Sequence, residues 1–297
     1  MAKTREIRRR IKSVQSTQQI TRTMEMVAAS KLKRAQNRLT ASRPYGGEVK
    51  SFIQELLASG THLSHPLLQK REEERTVALF LITSNRGLCG SFNTNLIKKA
   101  QKLYDDLKAQ GKDVRLSIAG KKGLSFFKFR GYPIDANYTD IPELPSSSHV
   151  AGIAEKFISL YTSGEIDRLT LIYNHFRSPV EQRPIIETIL PIPAPTVETG
   201  KRKAGKAHAG PAEYIMEPVP EEIIGRLLPL YIHSSLRMAL VESTTSEQGA
   251  RRTAMKSATD NADEMITYLI RSFNKARQAQ ITQEIAEIVG GANALTD

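Results

Sequence analysis

Glycine and proline constrain this chain most, because long stretches at both ends lack them. Residues 2–43 contain neither, and within residues 230–289 only Gly249 interrupts the run. Pro44 and the pair Gly46-Gly47 end the first run before a helical pattern resumes. An ordinary helix has about 11–12 residues, and much longer helices are stable when they pair along their length. We therefore expect two long terminal helices that pack against each other.

The apolar pattern of both runs predicts a coiled-coil seam, in which four- and three-residue steps alternate. In the first run the seam positions are Ile7, Ile11, Val14, Gln18, Thr21, Glu25, Ala28, Leu32, Ala35 and Leu39. In the second they are Met238, Val241, Thr245, Met255, Ala258, Ala262, Met265, Leu269 and Phe273. Small and polar side chains interrupt both seams. We predict that the two runs are antiparallel partners, with the rest of the chain inserted between them.

The middle of the chain has a different period. Apolar runs such as "RTVALFLITS" (75–84) are typical of buried strands, and helical patterns such as "NLIKKAQKLYDDLKAQG" lie between them. Strands that alternate with helices predict an α/β sheet with crossover connections. We expect a central Rossmann-like α/β domain over 70–195 and a flexible loop and foot segment over 196–220. The coiled-coil helices should cover 1–60 and 221–297.

The two terminal helices should differ in length. If they leave the central domain near residues 57 and 221, the C-terminal helix extends roughly 20 Å beyond its partner at ~1.5 Å per residue. The unpaired end, approximately 275–289, carries Ile281, Ile285, Ile288 and Val289 at helical spacing. An apolar surface that the chain itself does not cover indicates a binding site for another protein.

The positive charge is concentrated at the N-terminus. Of the net charge of +12, residues 1–43 contribute +10, from twelve Lys/Arg and two Glu. Such a segment is either a partner-binding surface or a solvated helix face. A scaffold that binds nucleic acid is one alternative function. However, aromatic residues make up only 6% of the chain, and none lies among the basic residues at 8–12 to stack on bases.

The most enzyme-like stretch is "SNRGLCGSFN" (84–93), between a predicted strand and a predicted helix. Glycine-rich turns can hold phosphate at a helix N-terminus, but this one matches neither GxGxxG nor GxxxxGK[ST]. A tight turn with Ser91 or Asn93 as the helix cap explains it at least as well. A phosphate-handling enzyme is therefore a further alternative, and Cys89 is expected to be a small buried side chain.

Residue usage excludes several classes of protein. Cys89 is the single cysteine, so there is no internal disulfide or two-thiol switch. The six histidines lack metal-ligand spacing, and no catalytic constellation stands out, so we expect no metal, no cofactor and no catalysis. The chain contains no run of about 18 apolar residues, so its sequence predicts no membrane span. The basic start lacks the apolar region of a secretory signal, which places the chain in a bacterial-type cytoplasm.

Three stretches carry a resemblance to a known family. They are "IRRRIKSVQSTQQITRTMEMVAASKLKRAQ", "SNRGLCGSFNTN", and "TSEQGARRTAMKSATDNADEMI" with "FNKARQAQITQEIAEIVGGANAL". These resemble the N-terminal helix, the turn after the first central strand and the C-terminal helix of the gamma subunit of F-type ATP synthase. The resemblance spans essentially the whole chain. It implies a non-catalytic rotor shaft, present as one copy per complex, which couples proton flow to ATP synthesis or hydrolysis.

The resemblance also implies partners. The coiled coil would stand inside a ring of alternating alpha and beta subunits, whose beta subunits it drives through their nucleotide-binding states. The central domain would rest with the epsilon subunit on the membrane ring of c subunits. The chain would be a peripheral protein at the cytoplasmic face of the bacterial inner membrane, and it would bind no nucleotide or nucleic acid.

Site residues follow from the resemblance by position. Met24 of "MEM" would face the beta subunits, and Arg277 and Gln278 of "KARQA" would grip a beta-subunit loop. The remaining assigned contacts are Arg251, Thr282, Glu284 and Glu287 as coupling neighbours, and Tyr214 and Glu217 of "EYIMEP" as the foot over the c ring. On helical spacing alone, Met24 and Arg277 would only stabilise the coiled coil.

Overall fold

The computed structural model describes residues 2–58, 65–71, 73–193 and 220–294. Its elements are α1 (Ala2–Ala58), β1 (Thr76–Ile82), α2 (Phe92–Ala109), β2 (Asp113–Ala119), α3 (Lys121–Phe129), β3 (Ala136–Tyr138), α4 (Ser147–Thr162), β4 (Arg168–Phe176), β5 (Gln182–Leu190) and α5 (Pro220–Ala294). They form two compact units. The helical unit comprises Met1–Ser30 and Arg251–Asp297, and the sheet unit comprises Lys31–Ala250. Tyr214, Glu217 and all but the last residue of the predicted loop and foot segment over 196–220 lie outside the described residues.

The sheet unit is built on a five-stranded sheet in the order β3-β2-β1-β4-β5. β1 pairs in parallel with β2 and β4, whereas β5 runs antiparallel to β4 at one edge. β1 is buried from Val77 to Ile82 because helices cover both faces, as is usual for parallel sheets. This arrangement confirms the predicted central α/β fold.

Each face of the sheet has its own apolar core. On one face α2 and α3 supply side chains such as Leu96 and Phe127. On the other face α4 packs together with parts of α1 and α5, through Phe157, Ile53 and Ile232. The terminal helices are therefore part of the core of the sheet unit.

α1 passes through Pro44, Gly46 and Gly47 without a break, although these residues favour an interruption. The heptad spacing of the seam continues through Gly46 to the buried Ile53. At Gly46 a Cβ atom would lie 3.3 Å from Ser234 Oγ of α5. The glycine thus allows the two helices to approach closely and does not form a turn.

In the helical unit, the start of α1 and the end of α5 pack as an antiparallel pair. All predicted seam positions from Ile7 to Ala28 are buried or partly buried. Residue numbers fall on α5 as they rise on α1, which confirms the predicted direction. Three side-chain hydrogen bonds show this: Thr4 Oγ1 donates to Gln280 Oε1 at 3.1 Å, Gln18 Nε2 donates to Asp263 Oδ1, and Thr259 Oγ1 donates to Thr21 Oγ1 at 2.8 Å.

One position of the second predicted seam is wrong. The side chain of Met265 is 53% exposed, and its neighbour Ile266 is partly buried. A four-residue step from Ala262 to Ile266, followed by a three-residue step to Leu269, keeps the alternation of a heptad. The predicted step from Ala262 to Met265 places the three-residue step too early.

α5 extends beyond the start of α1, but from a later residue than predicted. The contact between Thr4 and Gln280 shows that pairing continues past residue 275, where the unpaired end is expected to begin. From Ile281 to Val289 every side chain is exposed. The uncovered apolar end is therefore confirmed, with its beginning moved to Ile281.

Candidate functional site

The first candidate surface is the apolar end of α5, which we define as Ile281, Ile285, Ile288 and Val289. Their exposed fractions are 47%, 57%, 71% and 54%. The steps of four, three and one residues place them on one side of the helix. Four branched apolar side chains on one exposed helix face are typical of a surface that a partner covers.

The predicted contact residues near this end are exposed, and the structure brings them together within three turns of α5. They are Arg277, Gln278, Thr282, Glu284 and Glu287. Three hydrogen bonds run along the helix surface: Thr282 Oγ1 donates to the Gln278 carbonyl at 3.0 Å, Gln280 Nε2 to Glu284 Oε1 at 2.8 Å, and Gln283 Nε2 to Glu287 Oε1 at 2.9 Å.

Arg277 and Gln278 border the apolar end. Arg277 lies four residues before Ile281, and Gln278 lies seven residues before Ile285, so each shares a helix face with an isoleucine. Both side chains are exposed. A guanidinium with five N–H donors and a carboxamide can form directional hydrogen bonds with a partner loop, beside apolar contacts that have no preferred direction.

A second candidate surface surrounds Met24, whose side chain is partly buried. Ile20, four residues before it, is 57% exposed, and Val27, three residues after it, is 51% exposed. We call these three residues the Met24 stripe. The spacing of four and three residues is visible in the sequence, and the three positions differ from those of the seam. The resemblance predicted only Met24, so Ile20 and Val27 were missed.

Arg251 differs from the other predicted contact residues. It is only 8% exposed, and at 1.5 Å per residue it lies about 39 Å along α5 from Arg277. The structure therefore does not bring it together with the group at the end of the helix. Its burial is typical of a residue that contacts its own chain.

The basic residues of the first turns of α1 are largely exposed. Arg8, Arg9 and Lys12 all face solvent. Arg10 forms an ion pair with Glu6 at 2.8 Å, one helical turn away, with both side chains more than half exposed. Exposed pairs of this kind contribute little to stability, so the positive charge remains available to an acidic partner.

The turn at residues 84–93 is closed by its own hydrogen bonds. The Ser84 N–H donates to Asn93 Oδ1 at 3.0 Å, and Asn93 Nδ2 donates to Cys89 Sγ at 3.2 Å. Cys89 is 2% exposed, which confirms its prediction as a small buried side chain. Ser91 is the N-cap of α2 but forms no side-chain cap bond. The carboxamide of Asn93 therefore ties the turn to the end of β1.

A cavity of about 270 Å³ lies at this end of the sheet. Its walls include Asn85 and Arg86 after β1, Gly120 after β2, and Ser243 and Glu247 of α5. Open α/β sheets bind ligands beyond the carboxyl ends of their strands. Here α5 forms one wall of that region.

Metal sites and membrane-spanning helices are both absent from the described part of the chain. Among those residues, no group of three or more His, Cys, Asp or Glu side chains could hold a metal ion. No helix in the same residues is long and apolar enough to span a membrane.

Comparison with known proteins gives consistent matches. Residues 3–295 match the family model described as ATP synthase. The chain is 46% identical over 301 residues to the ATP synthase gamma chain of Chloroherpeton thalassium, covering 99% of both chains. It is 45% identical over 292 residues to that of Heliobacterium modesticaldum, covering 98% of both.

Solved structures share the fold. The match to the central stalk and c ring of Tetrahymena thermophila mitochondrial ATP synthase has a TM-score of 0.60 and 26% identity, over 80% of this chain and 99% of that chain. The rotor of the Euglena gracilis mitochondrial ATP synthase gives a TM-score of 0.65 at 18% identity, over 94% and 99% of the two chains, which shows the fold alone. These relatives give no support to the nucleic-acid-binding scaffold.

Proposed function

Because the chain belongs to the family of ATP synthase gamma chains, we propose that it is the non-catalytic central rotor shaft of an F-type ATP synthase. As this shaft it couples proton flow through the c ring to ATP synthesis or hydrolysis in a ring of alpha and beta subunits. The observation that carries the proposal is the 46% identity to a gamma chain over 99% of both chains.

The apolar end of α5 is the bearing of the shaft in this proposal. Its isoleucines are about half exposed or more in the isolated chain, and a sleeve of alpha and beta subunits would cover them. Apolar burial has no preferred direction, so it can centre a turning helix without fixing its angle. The Met24 stripe plays the same part on α1, where an unbranched methionine can adapt to each new neighbour at low cost.

Arg277 and Gln278 form the catch. Hydrogen bonds to charged groups contribute roughly 1.5–3 kcal/mol each, enough to favour one angle of the shaft and little enough to be released at each step. Thr282, Glu284 and Glu287 lie on the following turns and add polar contacts to the same beta-subunit loop. Arg251 supports coupling from a buried position on α5, since its side chain is only 8% exposed.

The other partners follow from membership of the family. Tyr214 and Glu217 form the foot over the c ring, and the epsilon subunit binds beside the central domain. One copy of the chain serves each complex. The protein is peripheral at the cytoplasmic face of the bacterial inner membrane, in keeping with a described region that contains no membrane-spanning helix.

Reconstitution tests the proposal. The chain is combined with the alpha, beta and epsilon subunits and the membrane part in vesicles, and ATP hydrolysis and ATP-driven proton pumping are both measured. We expect no hydrolysis by the chain alone and pumping only when it is included. Hydrolysis by the isolated chain, or pumping that does not need it, would contradict the proposal.

The catch has its own test. Arg277→Ala should lower the ratio of pumping to hydrolysis, because it removes a directional contact that transmits torque. Arg271→Ala is the matched control, since Arg271 is also exposed but lies before the apolar end of the same helix. An equal ratio in both variants would show that Arg277 does not act as the catch.

A further inference from the structure

One face of α5 within the sheet unit is directed at the end of β4 and the turn that follows it. Glu242 Oε2 lies 2.6 Å from His175 Nδ1. One helical turn later, Ser246 Oγ donates to the Asn174 carbonyl at 3.1 Å. Near the next turn, a Cβ atom on Gly249 would lie only 3.3 Å from a backbone carbonyl of the β4–β5 turn. Three successive turns of α5 thus lie against the same end of the sheet, where β4 stops and the β4–β5 turn begins.

Glu242 is the centre of this contact. Its side chain is 6% exposed, while that of His175 is 45% exposed. Arg43 Nη2 of α1 approaches Glu242 Oε1 at 3.5 Å and also donates to the Phe176 carbonyl at 3.3 Å. A single buried carboxylate therefore joins α5 to a strand of the sheet and to the other terminal helix.

Near Glu242 α5 packs in a small apolar cluster, whereas its earlier turns, with Ile232 and Leu236, pack in the main core of the sheet unit. Val241 packs in a small cluster with Phe176 of β4 and with Leu32 and Leu39 of α1. Apolar contact is non-directional and tolerates small sliding motions. A hydrogen bond weakens steeply when its angle falls below ~120°, so the bonds of Glu242 resist a rotation of α5 that would bend them that far.

We propose that Glu242 is a positioning residue that fixes the rotational setting of α5 against the central sheet and thereby passes torque from the sheet unit into the helix. The inference rests on the proposed rotor function. It adds the contact through which the central sheet would turn α5. His175 makes the shortest contact with Glu242, and Arg43 connects the same carboxylate to α1.

A purely stabilising role makes a different prediction. The partners of Glu242 are about half exposed, and ion pairs with exposed partners contribute little to stability, so stability alone gives no strong reason for a carboxylate at this position. Torque transmission by Glu242 depends on directional bonds. It should therefore be lost when the charge or the geometry of these bonds changes, even if the chain still folds.

The experiment uses the reconstituted complex in vesicles, with ATP hydrolysis and proton pumping measured on the same preparation. Glu242→Gln should lower the ratio of pumping to hydrolysis at least twofold. His175→Glu, which sets two carboxylates against each other, should lower it further. His175→Lys keeps an N–H donor opposite Glu242 and should retain the wild-type ratio.

Glu264→Gln is the matched control, because it makes the same substitution at an exposed position of α5. Thermal melting of each isolated chain and the yield of assembled complex separate poor folding from poor coupling. The proposal is overturned if the His175→Glu and Glu242→Gln complexes assemble normally and keep the wild-type ratio. It is also overturned if His175→Lys lowers the ratio as much as His175→Glu does.

If Glu242→Gln does not assemble, the two His175 variants decide the question alone. The wild-type complex is the reference for the proposed function itself. Pumping that does not require the wild-type chain would remove the rotor assignment, whereas required wild-type pumping with unchanged variants would remove only the role of Glu242.

Discussion

Replacing Ile285 and Ile288 by serine should weaken assembly with the alpha and beta subunits and leave the isolated chain stable. The two side chains are 57% and 71% exposed, so the free chain loses little apolar contact when they are shortened. In the assembled complex the sleeve would cover both. The double variant therefore separates what the chain needs for folding from what it needs for partner binding.

The size of the effect follows from the exposed fractions. Fully burying an isoleucine side chain contributes about 1.5–3 kcal/mol. A sleeve can cover only the exposed fraction of each side chain. When the energy of full burial is multiplied by these fractions, the two residues together contribute roughly 2–4 kcal/mol. Since each 1.4 kcal/mol is tenfold in affinity, binding should weaken by roughly 30- to 700-fold. This is an upper range, because ordering side chains at an interface has its own entropic cost.

Two measurements test this. Titration of a fluorescently labelled chain with the alpha/beta ring gives the affinity, and circular dichroism gives the melting temperature of the isolated chain. Ile266→Ser is the control, because Ile266 is partly buried in the seam of the helical unit. That control should lower the melting temperature, whereas the double variant should not.

Two results would refute the reasoning. A melting temperature of the double variant lowered as far as that of Ile266→Ser would mean that the apolar end packs within the chain. Unchanged affinity for the alpha/beta ring, with the fold intact, would mean that the sleeve does not contact these isoleucines.

Three further predictions follow from particular residues. Met24→Lys places a charge in the bearing and should reduce ATP-driven proton pumping more than the yield of assembled complex; an equal loss of both would contradict this role. Glu74 has a pKa lowered from its ordinary value of 4.5, first by the hydrogen bond from Lys112, so its contribution to stability is present above that value and disappears as the pH falls through the lowered pKa. Glu74→Gln should thus reduce the free energy of unfolding by about 1 kcal/mol at pH 7. The difference from wild type should shrink as the pH falls below 4.5. Urea titrations at several pH values measure both. Gly47→Ala meets no atom within 4 Å and should raise the unfolding free energy by up to about 1 kcal/mol, whereas Gly249→Ala meets the β4–β5 turn and should gain less or lose stability in the same titration.

The seams and the central strands could be predicted from sequence because their signals are local. The heptad spacing from Ile7 to Leu39 repeats over ten positions, and each of these positions is at least partly buried. β1 has an unbroken apolar run from Val77 to Ile82. Such a run is typical of a strand that is covered on both faces of the sheet. In both cases one short window contains the whole pattern.

Other features depend on contacts that no window contains. Gly46 favours a turn when it is considered alone, and only the nearby Ser234 of α5 shows why a glycine stands inside the helix. Glu242 and His175 are separated by 67 residues, and neither belongs to a motif. The burial of Arg251 likewise depends on the packing of its helix, so a resemblance can assign the residue a role without showing how it acts.

The polar residues of the helical unit explain how such a thin seam can hold a defined register. Thr21 and Thr259 are 9% and 8% exposed, and their hydroxyl groups share a hydrogen bond of 2.8 Å. Each hydroxyl also donates to a carbonyl of its own helix, Thr21 to Gln18 at 3.0 Å and Thr259 to Met255 at 2.9 Å. A slip of one helix along the other would therefore lose the bond between the helices, at a cost of about 0.5–1.5 kcal/mol, whereas a seam of identical leucines has no such bond to lose. Polar groups at seam positions specify register in this way at some expense of stability. The register in turn fixes the distance along the helix pair between the Met24 stripe on α1 and the apolar end of α5. The two surfaces would therefore meet the proposed sleeve at fixed heights.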